Sequence, residues 1–160
     1  MTKQLHPYRQ GDVILIPRKD IPEGMPEAKK DNDATVLALG EVTGHRHAFY
    51  TPAVKLFRDD GAGSGGCLRV DGDYAGVINA AVKERRKGPY GEQILMPVPN
   101  VGDVWFAAAD VKETPTGVTP NAPWSPLKHE EHDTQGILRG NYDLPPQREY
   151  SPQAIRNVAD

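Results

Sequence analysis

Each apolar run in this chain is short, and a proline or glycine stands at its end. Pro17 closes Val13-Ile14-Leu15-Ile16, Gly40 closes Ala34 to Leu39, and Pro97 closes Ile94-Leu95-Met96. Proline lacks a backbone N–H and glycine loses the most conformational freedom on folding, so neither suits the interior of a long helix. With 16 Gly and 15 Pro among 160 residues, a long coiled coil or helical bundle is excluded. The same punctuation leaves no segment near the ~20 apolar residues that a membrane-spanning helix needs. Residues 1–12 show no apolar stretch after Lys3, so no secretory signal is visible. The expectation is a chain that is cytoplasmic or virion-associated and makes no membrane contact.

Between the breakers the runs are β-compatible. Gly11-Asp12 is a turn pair feeding Val13–Ile16, and Gly102-Asp103 feeds Val104-Trp105-Phe106 in the same way. Further short strands are expected at 34–39, after Gly44, at 54–57, at 68–70 and at 136–138. Ile94 to Pro99 reads as an edge segment, because two prolines cannot join a central ladder. Residues 74–87 allow two readings, a helix over VINAAVKERRK or a strand followed by a basic turn at Gly88-Pro89, and the helix is preferred. At the C-terminus Ser151 is an N-cap and Pro152 a first helical residue, with Ile155, Val158 and Ala159 spaced to share a face. The fold class is therefore mostly β, a small barrel or sandwich with a short C-terminal helix. The reading is one domain over 1–160, with long loops at 18–33 and 112–126 and a flexible tip at 59–66.

Four of the five histidines fall into two close pairs. His45 and His47, two apart, project from one face of a strand. His129 and His132, three apart, share a face only on a tight turn or a single helical turn. Glu130 and Glu131 lie between them and Asp133 follows. Should the segments meet, three or four imidazoles and a carboxylate converge, a nitrogen and oxygen ligand set suited to Zn²⁺, Fe²⁺, Mn²⁺ or Ni²⁺. The metal ligands expected are His45, His47, His129 and His132. Glu130 or Glu131 would be the general base or a further ligand. Gln147, Glu149 and Tyr150 are expected as hydrogen-bond partners of the ligands. With three histidines bound and one position open, the ion could activate water; with four it would be a structural staple. The opposing reading is that the pairs are turn or surface residues bonded to backbone. His6 stands alone and reads as inert.

The string Gly40-Glu41-Val42-Thr43-Gly44-His45-Arg46-His47 resembles the first motif of the cupins, in which glycine precedes HxH on a barrel strand. That resemblance implies a jelly-roll barrel with one metal at its mouth, held in part by His45 and His47. The match covers only these residues. Its glycine-to-histidine spacing is one residue short, and Thr51 and Pro52 stand where the family places a glutamate. The segments GEVTGHRHAF, KHEEH, QREYSP and IRNVAD are together similar to small uncharacterised bacterial and phage-borne proteins, a resemblance that implies no activity.

Other features point away from chemistry. One cysteine, Cys67, allows neither an internal disulfide nor a cysteine-based zinc site. Gly61 to Gly66 has no Lys-Ser/Thr and opens no helix, so it is not a phosphate-binding loop. Lys83 to Lys87 is the only basic cluster, and with a formal net charge of −3 it makes nucleic acid an improbable partner. Two functions lead, ahead of a nucleic-acid-associated accessory using residues 83–87. One is a small β domain binding one divalent metal through the histidine pairs. The other is a non-enzymatic structural or assembly protein, a homo-oligomer or virion component, with loops 18–33 and 112–126 as contact arms.

Overall fold

The computed structural model describes residues 6–39, 46–59 and 65–146, and within them almost all regular structure is β. Strands β1 (Tyr8–Gln10) and β2 (Val13–Arg18) form a hairpin across the Gly11-Asp12 turn. β3 (Thr35–Leu39) and β4 (Arg46–Phe49) pair with each other, and β5 (Val54–Phe57) and β6 (Gly66–Val70) form the next antiparallel pair. β7 (Glu84–Gly88), β8 (Gly91–Val98) and β9 (Gly102–Ala107) make a meander. A single 3-10 turn at Ala108–Asp110 leads to the hairpin of β10 (Val111–Thr114) and β11 (Gly117–Pro120). The described chain ends with β12 (Trp124–Leu127), β13 (Gln135–Leu138) and β14 (Gly140–Leu144).

Two five-stranded sheets result. The first has the order β1-β2-β14-β6-β5 and is antiparallel throughout. The second has the order β12-β13-β9-β8-β7, with one parallel contact between β13 and β9. Neither sheet closes on itself among the described residues, so the fold is a small open β-sandwich. The β3–β4 hairpin docks on the edge of the second sheet, where Ala48 and Lys128 exchange two backbone hydrogen bonds of 3.0 and 2.9 Å.

Period-two alternation explains how the layers stack. In β12 and β13 both faces are buried. Leu127 and Ile137 turn toward the first sheet and pack with Val13, Leu15, Phe49, Leu68 and Tyr142. Trp124 and Leu138, directly opposite each other in the ladder, turn the other way and join Ile94, Met96, Phe106 and Val118. The edge of the second sheet is thus a wall shared by two cores. Burying one such Leu or Ile side chain contributes roughly 1.5–3 kcal/mol.

Several sequence expectations need correction. Residues 74–87 form no helix; irregular chain leads into β7, an edge strand built from the basic run itself. Its charged side chains suit an edge, where they oppose pairing with another chain. Residues 112–126 are no loop, because a tight turn at residues 115 and 116 folds Val111–Pro120 into a hairpin and Trp124 opens β12. β8 has neighbours on both sides, but β7 ends opposite Leu95, so Pro97 lies beyond the ladder that its missing N–H would interrupt. The expected C-terminal helix and the tip residues 60–64 lie outside the described residues.

Candidate functional site

The site starts from β4. Arg46–Phe49 pairs with β3 along one edge and, through Ala48, meets residue 128 along the other, which places His47 at the first residues of the 129–132 segment. That segment is a turn held by its own first side chain. His129 Nδ1 accepts the backbone N–H of Glu131 at 2.9 Å and that of His132 at 3.1 Å. The three spacing therefore works through a tight turn. One member of the first pair meets both members of the second: the rings of His47 and His129 have centroids 4.2 Å apart, those of His129 and His132 4.7 Å, and those of His47 and His132 5.9 Å. Burial falls across the cluster, from His47 at 6 % exposure to His132 at the surface. His45, Gln147, Glu149 and Tyr150 lie outside the described residues.

Gln10 fixes the orientation of His47. Its Nε2 donates to the carbonyls of Leu127 at 2.8 Å and Asp133 at 2.9 Å. With the amide nitrogen so engaged, Oε1 faces His47 Nδ1 at 2.8 Å. An amide oxygen only accepts, so Nδ1 carries the hydrogen and Nε2 keeps its lone pair. Burial, and then the proximity of His129 and His132, push the ring's pKa down to about 4. At neutral pH His47 is thus a neutral imidazole with a defined open nitrogen. That is the form a metal ligand or a proton acceptor needs.

The other two rings are arranged differently. Because His129 Nδ1 accepts two N–H groups, its neutral ring carries its proton on Nε2. His132 lies against the β1–β2 turn, where Gly11 has φ +57°; a Cβ there would stand 2.6 Å from His132 Nε2. Glycine supplies both the left-handed backbone and the space for the ring. Among the described residues no three His, Cys, Asp or Glu side chains are placed to hold a metal ion together. Glu130 Oε1 accepts the Arg46 N–H at 2.9 Å and is exposed, as is Glu131. Asp133 is tied down by Arg86 at 3.1 Å, and the Arg86 guanidinium lies 3.8 Å over the Trp105 ring.

Arg86 belongs to the basic run, and its neighbours are also matched by acids. Lys83 pairs with Asp103 and Arg85 with Glu113. Cys67 is buried, accepts a hydrogen bond from Arg18 at 3.0 Å, and has its pKa raised chiefly by burial, so it is no activated thiolate.

Sequence reasoning missed a second polar centre altogether. His6 is not inert: its Nε2 meets Asp110 Oδ1 at 2.8 Å and its Nδ1 meets the Pro7 carbonyl at 2.9 Å. Tyr8 donates its hydroxyl to Asp110 Oδ2 at 2.7 Å, and the His6 and Tyr8 rings lie 4.7 Å apart. Asp110, at the end of the 3-10 turn, is 4 % exposed. Tyr142 donates to the Leu138 carbonyl at 2.6 Å beside this group. The partners are more than a hundred residues apart, so no local motif announces them. The one hint for Gln10 is its position in an otherwise inward-facing slot of β1.

No helix among the described residues is long and apolar enough to cross a membrane. No curated protein and no solved structure matches the chain. Residues 9–84, spanning β1 to the first residue of β7 and holding Gln10, Gly11 and His47 but not His129 or His132, are similar to a family described as Domain of unknown function (DUF8820).

Proposed function

We propose that the histidine cluster is a binding site for one divalent transition-metal ion, held by His47, His129 and His132, with His45 as a further ligand. The observation that carries this reading is the convergence of three rings within 5.9 Å around a His47 whose Nε2 is kept unprotonated. A ligand already free of its proton binds a metal without proton competition at neutral pH. The ring of His129 has to leave its two backbone N–H partners to offer a lone pair. Losing two such bonds costs on the order of 1–3 kcal/mol, small beside the ~10–16 kcal/mol of apparent binding energy of structural zinc in small peptides. Metal binding and re-forming of the 129–132 turn are therefore one event. Nitrogen ligands favour Zn²⁺, Ni²⁺ or Fe²⁺ over Mg²⁺ or Ca²⁺.

Titration of protein carrying no affinity histidines with Zn²⁺ and Ni²⁺, followed by calorimetry, tests this. One ion per chain is expected, lost in His47→Ala and in His132→Ala. Absence of binding at micromolar metal overturns it.

The turn-capping bonds of His129 favour a second reading, in which the histidines are purely structural and the chain is an assembly or interaction protein. On that reading a chelator leaves the melting temperature unchanged and added Zn²⁺ does not raise it.

A further inference from the structure

The two sheets treat their outward charges differently. In and beside β7 of the second sheet, Lys83, Arg85 and Arg86 each meet an acid: Asp103, Glu113 and Asp133. On the first sheet the register puts Arg18 opposite Asn141, Asn141 opposite Arg69, and Arg69 opposite Lys55. Tyr142, Leu68 and Leu56, the neighbours of these residues along their strands, point into the core, so the row faces outward. With adjacent strands about 4.8 Å apart, it crosses four strands over roughly 14 Å. Lys55 and Arg69 are exposed, stand directly opposite each other and form no ion pair with any described residue. Like charges in that position oppose sheet formation. Stability therefore does not account for them.

The rest of the face is mixed. Asp143, two residues on from Asn141, pairs with Arg18 at 3.2 Å. So exposed a pair is weak, and a phosphate can take the place of its carboxylate. Glu27 stands opposite Phe57 at the far edge, and Arg9 turns its Nε to the Gly11 carbonyl. Arg69 Cζ lies 5.5 Å from the centre of the Phe57 ring, so one guanidinium joins charge to a planar surface on which a base can stack. Ile16, 41 % exposed, adds apolar surface. The net charge of −3 belongs to the whole chain. The row gathers its cations from three separate strands, and no run in the sequence shows it.

We propose that the outward face of the first sheet binds single-stranded nucleic acid, with Arg18, Arg69 and Lys55 on its phosphates and the Arg69–Phe57 pair against a base. An acidic peptide is the poorer match. Extended peptides are taken up at sheet edges, where backbone hydrogen bonds supply affinity, whereas this row lies on a face whose inner strands are already paired on both sides. Single strands lie across the faces of antiparallel sheets, held by cations and by stacking. The face shares no residue with the histidine cluster, so it stands or falls separately from metal binding.

Fluorescence anisotropy of a labelled oligothymidylate of about 16 nucleotides, titrated with the full chain, tests this. Three phosphate contacts give a log–log salt slope near −2, so raising salt from about 50 to about 200 mM should weaken binding roughly 20-fold. Lys55→Gln combined with Arg69→Gln should bring the slope to about −0.7. Its melting temperature should not fall, because a like-charge contact is relieved. Arg69→Lys should keep the slope but weaken binding by about fivefold or more, having lost the stacking plane. Lys83→Gln combined with Arg85→Gln, on the second sheet, should leave the slope unchanged. No binding at about 100 μM protein, or a slope lowered equally by the second-sheet variant, overturns the proposal. So does displacement of the strand by polyglutamate of equal charge, tighter binding of a duplex, or an Arg69→Lys variant that binds as the wild type does.

Discussion

His6 and His47 are both largely buried histidines at the ends of one strand, yet they end up with opposite charge states. His6 finds a carbonyl and a carboxylate, acceptors on both sides, and is held protonated. His47 finds an amide oxygen on one side and other imidazoles on the remaining side, and its proton is driven off until about pH 4. Burial lowers both rings' affinity for a proton. The charge of the partner decides which sign wins. A fixed carboxylate outweighs burial at His6; at His47 the neutral amide adds nothing to oppose it.

The largest expected effect breaks the first centre. Asp110→Ala strands a buried cation and leaves the Tyr8 hydroxyl without its acceptor, and should cost about 3–5 kcal/mol of unfolding free energy at pH 6. A denaturant melt showing under 1 kcal/mol would mean that His6 and Asp110 are not paired. Next comes the acid limb of the second centre. The unfolded state takes up the His47 proton near pH 6.5 and the folded state only near 4. Stability is therefore lost as pH falls between those values, by on the order of 3 kcal/mol. His47→Gln should flatten this limb, whereas His6→Gln should flatten the alkaline one, since the His6 contribution is complete below 6.5 and fades as pH rises. Melts across pH 4–9 that show the same profile for both variants would erase the contrast.

Smaller changes sharpen the comparison. Gln10→Ala leaves the His47 Nδ1–H and the carbonyls of Leu127 and Asp133 short of a partner, for about 1–3 kcal/mol, and should let both His47 tautomers appear in ring ¹⁵N spectra at pH 6. A single surviving Nδ1–H tautomer would show that Gln10 is not what selects it. Gly11→Ala places a Cβ against His132 in a left-handed backbone, costing about 1–2 kcal/mol, and should weaken Zn²⁺ binding while the His6 midpoint stays put. Unchanged Zn²⁺ affinity would remove His132 from the site.

What was readable beforehand follows from range in sequence. Local punctuation located the turns at Gly11-Asp12 and Gly102-Asp103 and the apolar runs at 13–16 and 104–106, so the β class was accessible. The two histidine pairs could be named because each pair is local, and the structure brings His47 to His129 and His132. Gln10, Asp110 and Tyr8 were invisible because their meaning comes from partners 37 to 104 residues away. The basic run misled for a similar reason. Lys83 to Lys87 has helix-forming composition, but pairing with β8 and acids at 103, 113 and 133 override that preference. The hairpin at 111–120 was hidden by prolines that sit at its turn and its end.

The position of β14 bears on how the chain is made. This strand, residues 140–144, is the centre of the first sheet, inserted between β2 and β6, which are complete by residue 70. At a synthesis rate of about 5–20 residues per second, its last residue follows Val70 by roughly 4–15 s. Through that interval the nascent chain displays two unpaired inner edges that can accept any passing strand. Successful folding in the cell therefore depends on what shields β2 and β6 until their own partner is translated.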